Sequence, residues 1–127
     1  MICEATSTPL ECDVRWREFD FGAWDGLTWE QIVERAPELR DLPSTAADRF
    51  RPPGGETYSH VRARVAQALA DLETTAGHVL IVTHAGPLHA ALDILVGDGF
   101  PEVRLTPAGI TRLQCAAGAW RLLALGK

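Results

Sequence analysis

The segment Val79-Leu80-Ile81-Val82-Thr83-His84-Ala85-Gly86-Pro87 constrains the fold most, because an unbroken apolar run ends at a histidine followed by a helix-start signal. Four consecutive apolar residues without alternation predict a strand covered on both faces, as in the parallel sheets of α/β domains. Gly86 suits the N-cap and Pro87 the first helical position, where a missing N–H costs nothing and the fixed φ fits the helix. His84 is thus expected at the carboxyl end of a buried strand, beside the free amides of a helix N-terminus. Open α/β sheets bind ligands, and anions in particular, at such places. The geometry favours a phosphate.

The flanking sequence supports the same class. Arg17 to Phe21 alternates, with Phe19 and Phe21 on one side and Glu18 and Asp20 on the other, as in a short strand or extended segment. After Asp25-Gly26, Thr28-Trp29-Glu30-Gln31 reads as a capping box, with Leu27 and Ile32 placed as a hydrophobic staple, and predicts a helix from Trp29 to Ala36. Pro37, Pro43, Pro52 and Pro53, with Gly54-Gly55, predict an irregular stretch to Glu56 that could cover a site. Thr57 or Ser59 can start the next helix, whose Val61, Val65, Ala68, Leu69 and Leu72 share one face, and Gly77 stops it. A further helix runs from Pro87 to Val96 and closes at Gly97. Two β-prone runs, Ile110 to Cys115 and Trp120 to Leu125, joined by Ala116 to Ala119, predict an antiparallel hairpin. The expected architecture is three-layer α/β/α, with a mostly parallel sheet and this hairpin at its end, in a single domain over residues 1–127.

Composition narrows the function. A chain of 127 residues, 46% hydrophobic, can bury one modest core. Its net charge of −5 is spread along the chain, which disfavours nucleic acid and acidic membrane surfaces as partners. No apolar run approaches the roughly 18 residues of a membrane helix, and no secretion signal opens the chain, so a cytoplasmic location is expected. Cys3, Cys12 and Cys115 show no paired spacing and read as free thiols. His84 and His89 lie five apart across a strand-to-helix turn, and His60 and His78 add no ligand set, so no metal or other cofactor is expected. Cys115 to Arg121 fits the C-x5-R spacing of cysteine phosphatases, but the arginine lies within a β-prone run with no helix to follow, and a packed hairpin cysteine is the better reading.

Three motifs in order, Arg17-Glu18-Phe19-Asp20-Phe21-Gly22-Ala23-Trp24-Asp25-Gly26, Pro53-Gly54-Gly55-Glu56 and Val82-Thr83-His84-Ala85-Gly86, resemble those of the histidine phosphatase superfamily, the relatives of phosphoglycerate mutase. The small α-ribazole phosphatase-like branch is the most similar in pattern. In that family a histidine within an Arg-His-Gly triplet on the opening strand becomes phosphohistidine. The 127 residues contain no Arg-His-Gly, and the second pocket arginine upstream of the acidic motif is missing too. The resemblance therefore implies an incomplete phosphoglycerate mutase-like fold, truncated at its N-terminus and lacking the first strands, with two exposed strand edges. A start site placed too far downstream is the favoured explanation; a true fragment or degenerate relative, or a chain completed by another polypeptide or by swapping, are the others.

By this resemblance Glu18 is the general acid that protonates the leaving oxygen and then the base that activates water; from composition alone it is a solvated acid. His84, otherwise a histidine ending a strand, becomes the second pocket histidine, stabilising the transferring phosphoryl group with the amides of Ala85 and Gly86. Glu56 either caps the following helix or faces substrate, and Thr83 either ends the strand or supports the pocket. Arg62 and Arg64 read as helix-surface charges, and Arg40, Arg49 and Arg51 as solvated loop charges or contacts to a second anionic group. The implied reaction is hydrolysis of a phosphorylated small molecule, ahead of mutase-type transfer, with the chain inactive by itself. The competing expectation is a non-catalytic remnant that binds a partner, forms a homodimer or exchanges strands to replace the missing central strand.

Overall fold

Capping residues set the helix starts. The computed structural model describes residues 2–41, 49–97 and 105–126; Pro43 of the irregular stretch and the side chain of Cys3 lie outside them. In chain order the elements are α1 (Ile2–Thr6), α2 (Trp29–Arg35), α3 (Tyr58–Glu73), α4 (Ala85–Val96), β1 (Arg112–Ala116) and β2 (Ala119–Ala124), with 3-10 turns at Val14–Trp16, Gly22–Trp24 and Pro37–Leu39. At α2 the Thr28 hydroxyl accepts from the Gln31 amide, while the Thr28 amide donates to Gln31 Oε1 at 2.9 Å. At α3 Thr57 plays the same part, and His60 stands in for the usual acid, its Nδ1 accepting from the Thr57 amide at 3.2 Å.

α3 buries Val61, Val65 and Leu69 against Ala90 and Ala91 of α4, with Trp16, Phe19 and Leu72 packed on the seam. Each such aliphatic side chain removed from water contributes about 1.5–3 kcal/mol. The Tyr58 hydroxyl donates to the Asp93 carboxylate across the same two helices. A second cluster gathers Trp24, Ile32, Ala36 and Leu39, with Phe21, Leu27 and Phe50 against it. Phe19 belongs to the first cluster and Phe21 to the second, yet their ring centroids lie 5.0 Å apart, and Phe50 reaches Phe19 at 5.7 Å. The alternation in Arg17 to Phe21 therefore joins two cores through aromatic contact.

The fold is α/β with a C-terminal antiparallel hairpin. Leu113 pairs with Leu122 and Cys115 with Trp120. Because Ala116 also pairs with Ala119, only Ala117 and Gly118 remain for the turn, and their φ of 51° and 75° suit the two-residue type I′ connection. The Trp120 indole donates to Glu73 Oε1 at 3.2 Å and ties the hairpin to the end of α3.

Two expectations need correction. Among the described residues the one sheet is this two-stranded antiparallel pair, and residues 79–82 join no ladder. Val79, Leu80 and Val82 are 54%, 63% and 73% exposed. Apolarity marks a segment fit for burial, but a strand also needs a neighbour to satisfy its N–H and C=O groups, and β1 and β2 pair with each other. Second, α4 starts earlier than expected: His84 is the N-cap and Pro87 the third helical residue. The Leu88 amide closes the first turn on the His84 carbonyl at 3.2 Å, and proline is tolerated anywhere in that turn, since its N–H would be unsatisfied there.

Candidate active site

Glu18 meets the start of α4. Its Oε1 accepts from the Gly86 amide at 3.1 Å and from the neighbouring Phe19 amide at 2.8 Å. A carboxylate at the N-terminus of a twelve-residue helix is favourably placed against the helix dipole. The approach depends on glycine: a β-carbon at residue 86 would lie 2.5 Å from Glu18 Oε1. Two residues before that contact stands His84, exposed, with its backbone capping the helix and its imidazole making no cap bond. The Thr83 hydroxyl donates to the Trp16 carbonyl at 2.7 Å, a second link between the histidine segment and the acidic one.

Behind Glu18 lies a buried ion pair. Arg64 donates through Nε to Glu56 Oε1 at 2.9 Å and through Nη2 to Oε2 at 3.0 Å, and both side chains are 11% exposed. The same guanidinium donates to the Arg15 carbonyl at 2.6 Å and the Glu18 carbonyl at 3.2 Å. Glu56 also accepts from Arg17 at 2.9 Å and from the Asp20 amide at 3.1 Å. Burial pushes the Glu56 carboxyl up, but the Arg64 bonds, the Asp20 amide and the charges of Arg64 and Arg17 outweigh it and hold the group below the usual carboxylate range.

The Pro-Gly-Gly-Glu turn reaches this network backbone to backbone. The Ala23 amide donates to the Pro53 carbonyl and the Glu56 amide to the Asp20 carbonyl, each at 2.9 Å. A β-carbon at Gly55 would sit 2.4 Å from the Asp20 carbonyl oxygen, and one at Gly22, where φ is already +50°, 2.4 Å from that of Pro53. Only glycine permits such contact.

The structure thus brings Glu18, Thr83, His84, Ala85 and Gly86 together. The Gly86 amide, expected to serve phosphate, is engaged by the Glu18 carboxylate, so an anion already occupies the helix start. Glu56 does not cap α3, which Thr57 does; its oxygens go to protein donors. Arg64 is not a surface charge but the hub of the network. Its signal was present, since Arg64 lies near Val61 and Val65 on the α3 face and eight residues from Glu56, but the spacing alone did not name a partner. Arg49 and Arg51 line a separate cavity of about 600 Å³ with Trp24, Arg35, Leu39 and Pro53, which includes neither Glu18 nor His84. Among the described residues no three His, Cys, Asp or Glu side chains gather as a metal site would need, and no helix is long and apolar enough to cross a membrane.

The family model described as the histidine phosphatase superfamily, branch 1, matches residues 1–127. The chain belongs to that superfamily. A 6-phosphofructo-2-kinase/fructose-2,6-bisphosphatase of Caenorhabditis elegans is 37% identical over 75 residues, 59% of this chain and 16% of that protein. The chain thus spans about a sixth of the length of that relative. Among solved structures, a mycobacterial glucosyl-3-phosphoglycerate phosphatase in complex with VO3 superposes with a TM-score of 0.80 at 28% identity, covering 98% of this chain and 67% of that one. The structure described as mycobacterial hydrolase 1 gives 0.82 at 27% identity, covering 99% and 67% respectively.

Proposed function

We propose that this chain carries the acid-base and second-histidine side of a phosphomonoester hydrolase that works through phosphohistidine. One observation carries the reading: the carboxylate of the acidic motif rests on the α4 amide two residues beyond His84. The similarity to a phosphatase solved with VO3, an ion of the shape and charge of a transferring phosphoryl group, supports it. In this reading a phosphorylated small molecule brings its phosphate to the α4 N-terminus and takes the Gly86 amide from Glu18. Glu18, having taken the proton of the bound phosphomonoester monoanion, then passes it to the leaving alcohol oxygen as the nucleophilic histidine nitrogen bonds phosphorus and the phosphorus–oxygen bond breaks, and afterwards takes a proton from the water that attacks phosphorus and frees the histidine. His84, as a hydrogen-bond donor, and the Ala85 and Gly86 amides balance the negative charge spreading over the phosphoryl oxygens.

None of the 127 residues forms Arg-His-Gly, so the nucleophile in this proposal comes from a segment outside them. The purified chain alone should leave p-nitrophenyl phosphate unhydrolysed. Joined to a strand segment bearing Arg-His-Gly, it should turn that substrate over, and Glu18→Gln or His84→Ala should each lower the rate on the order of 100-fold or more. Turnover by the chain alone that His84→Ala abolishes would overturn the inactivity; a restored enzyme indifferent to Glu18→Gln would remove the acid assignment.

The exposure of Val79, Leu80 and Val82 favours a second reading, in which this edge pairs with a second copy of the chain and the protein acts as a self-associating module. It requires a dimer that survives dilution and does not bind vanadate.

A further inference from the structure

We infer that Arg64 and Glu56 are positioning residues for Glu18, fixing where its carboxylate points; this rests on the reading of Glu18 as the acid. The network touches the acidic segment on both sides of that residue. Arg64 holds the carbonyls of Arg15 and Glu18, while Glu56 holds the amide and, through its own backbone, the carbonyl of Asp20. Residues 15–20 belong to no helix or strand over most of that length, so no ladder fixes their backbone. Side-chain bonds take over that task. Because, among the described residues, the Glu18 carboxylate reaches the Gly86 and Phe19 amides alone, its direction depends on the backbone that carries it.

The residue types fit this role better than a purely structural one. A bare ion pair beneath a helix needs charge alone, which lysine also supplies. Here the guanidinium spends Nε, Nη1 and Nη2 on acceptors in different directions, a fork that a single ammonium cannot reproduce. Glu56 is likewise used through both oxygens, one toward Arg17 and Arg64 and the other toward Arg64 and the Asp20 amide. The pair therefore translates the fixed face of α3 into a fixed backbone at Glu18. Neither side chain touches the reacting atoms in the proposed reaction.

Backbone amide resonances of the 127-residue chain test this without activity. At neutral pH the Gly86 amide resonance of the wild type should stand a clear step downfield of its position in Glu18→Gln, the step made by a bond to a charged acceptor. Arg64→Lys, which keeps the charge, and Glu56→Gln, which keeps the shape, should each lose most of that step while the methyl signals of Val61, Val65 and Leu69 stay in place. A full step in both variants overturns the positioning role and leaves Glu18 as the acid untouched. Collapse of the core methyl signals in both also overturns it, by showing that the pair holds the fold rather than the acid. A Gly86 resonance that Glu18→Gln leaves in place removes the contact itself and with it the observation beneath the proposed function. Absence of phosphatase activity in a restored enzyme has no bearing on these spectra.

Discussion

Glu18 and the backbone of His84 come to the start of α4 from two segments that are held in opposite ways. The acidic segment is pinned by side chains and glycines: Arg64, Glu56 and Thr83 bond its backbone, and Gly55 and Gly86 let neighbours come within contact. The run leading into His84 has the sequence of a buried strand, yet it joins no ladder and its valines and leucine are half exposed or more. Contacts made by a side chain's own reach can form wherever two segments meet. A strand's order depends on a neighbouring backbone. One wall of the candidate site is therefore complete within these residues, and the other has its helix start but an open edge.

Breaking the pinned wall should have the largest effect. Arg64→Ala leaves the buried Glu56 carboxylate with the half-exposed Arg17 as its remaining cation, which is expected to cost about 3 kcal/mol in urea unfolding, the low end for a broken buried pair. The pH dependence follows from the direction of the Glu56 shift. A carboxyl held below its unfolded value, 4.5, contributes stability that is fully present above that pH and is lost as pH falls through the lower, folded value. The wild-type urea midpoint should thus decline on the acid side of 4.5, and Glu56→Gln, already weakened near neutrality, should decline less steeply there. An acid limb of the same steepness in both proteins would show that Glu56 is not the group responsible.

Two glycines sharpen the contrast within that wall. At Gly55 a methyl group meets the backbone oxygen of Asp20, so the turn or the acidic segment must shift as a whole; Gly55→Ala should cost about 1–3 kcal/mol as an overpacking change. At Gly86 the obstacle is the end of the Glu18 side chain, which can swing aside. Gly86→Ala should therefore change the urea midpoint less than Gly55→Ala does, while moving the Phe19 amide resonance as Glu18 departs. Equal losses of stability from both would mean that Glu18 is as firmly fixed as backbone.

How much of this was legible follows the same division. Thr28 with Gln31, the apolar face of α3 and the hairpin could be read directly, because capping, helical periodicity and a two-residue turn are local physics written in adjacent residues. Glu18, His84 and Gly86 were legible as a set only through the order of their motifs, since residues 68 apart in sequence reveal no contact by composition. Arg64 was missed: a largely buried arginine on a helix face looks like a surface charge until its acceptors, two carbonyls and a carboxylate from other segments, are in place. The run at 79–82 misled in the opposite sense, because apolarity encodes what a segment would bury and not whether a partner strand lies beside it.

That open wall gives the smallest expected effect on folding and the clearest on association. Val82 is 73% exposed, so Val82→Lys removes little packing and should change unfolding free energy by no more than about 0.5 kcal/mol, as for other surface positions. A lysine on an unpaired edge opposes strand addition, by charge and by the cost of desolvating it. If the edge recruits a second copy, sedimentation of the wild type should show a concentration-dependent dimer that Val82→Lys converts to monomer without a change in the urea midpoint. A wild type that sediments as a monomer at every concentration removes the self-associating reading. It also leaves the exposed run to be covered by a strand of a different sequence, which is what the enzyme reading requires of the segment that brings the nucleophile.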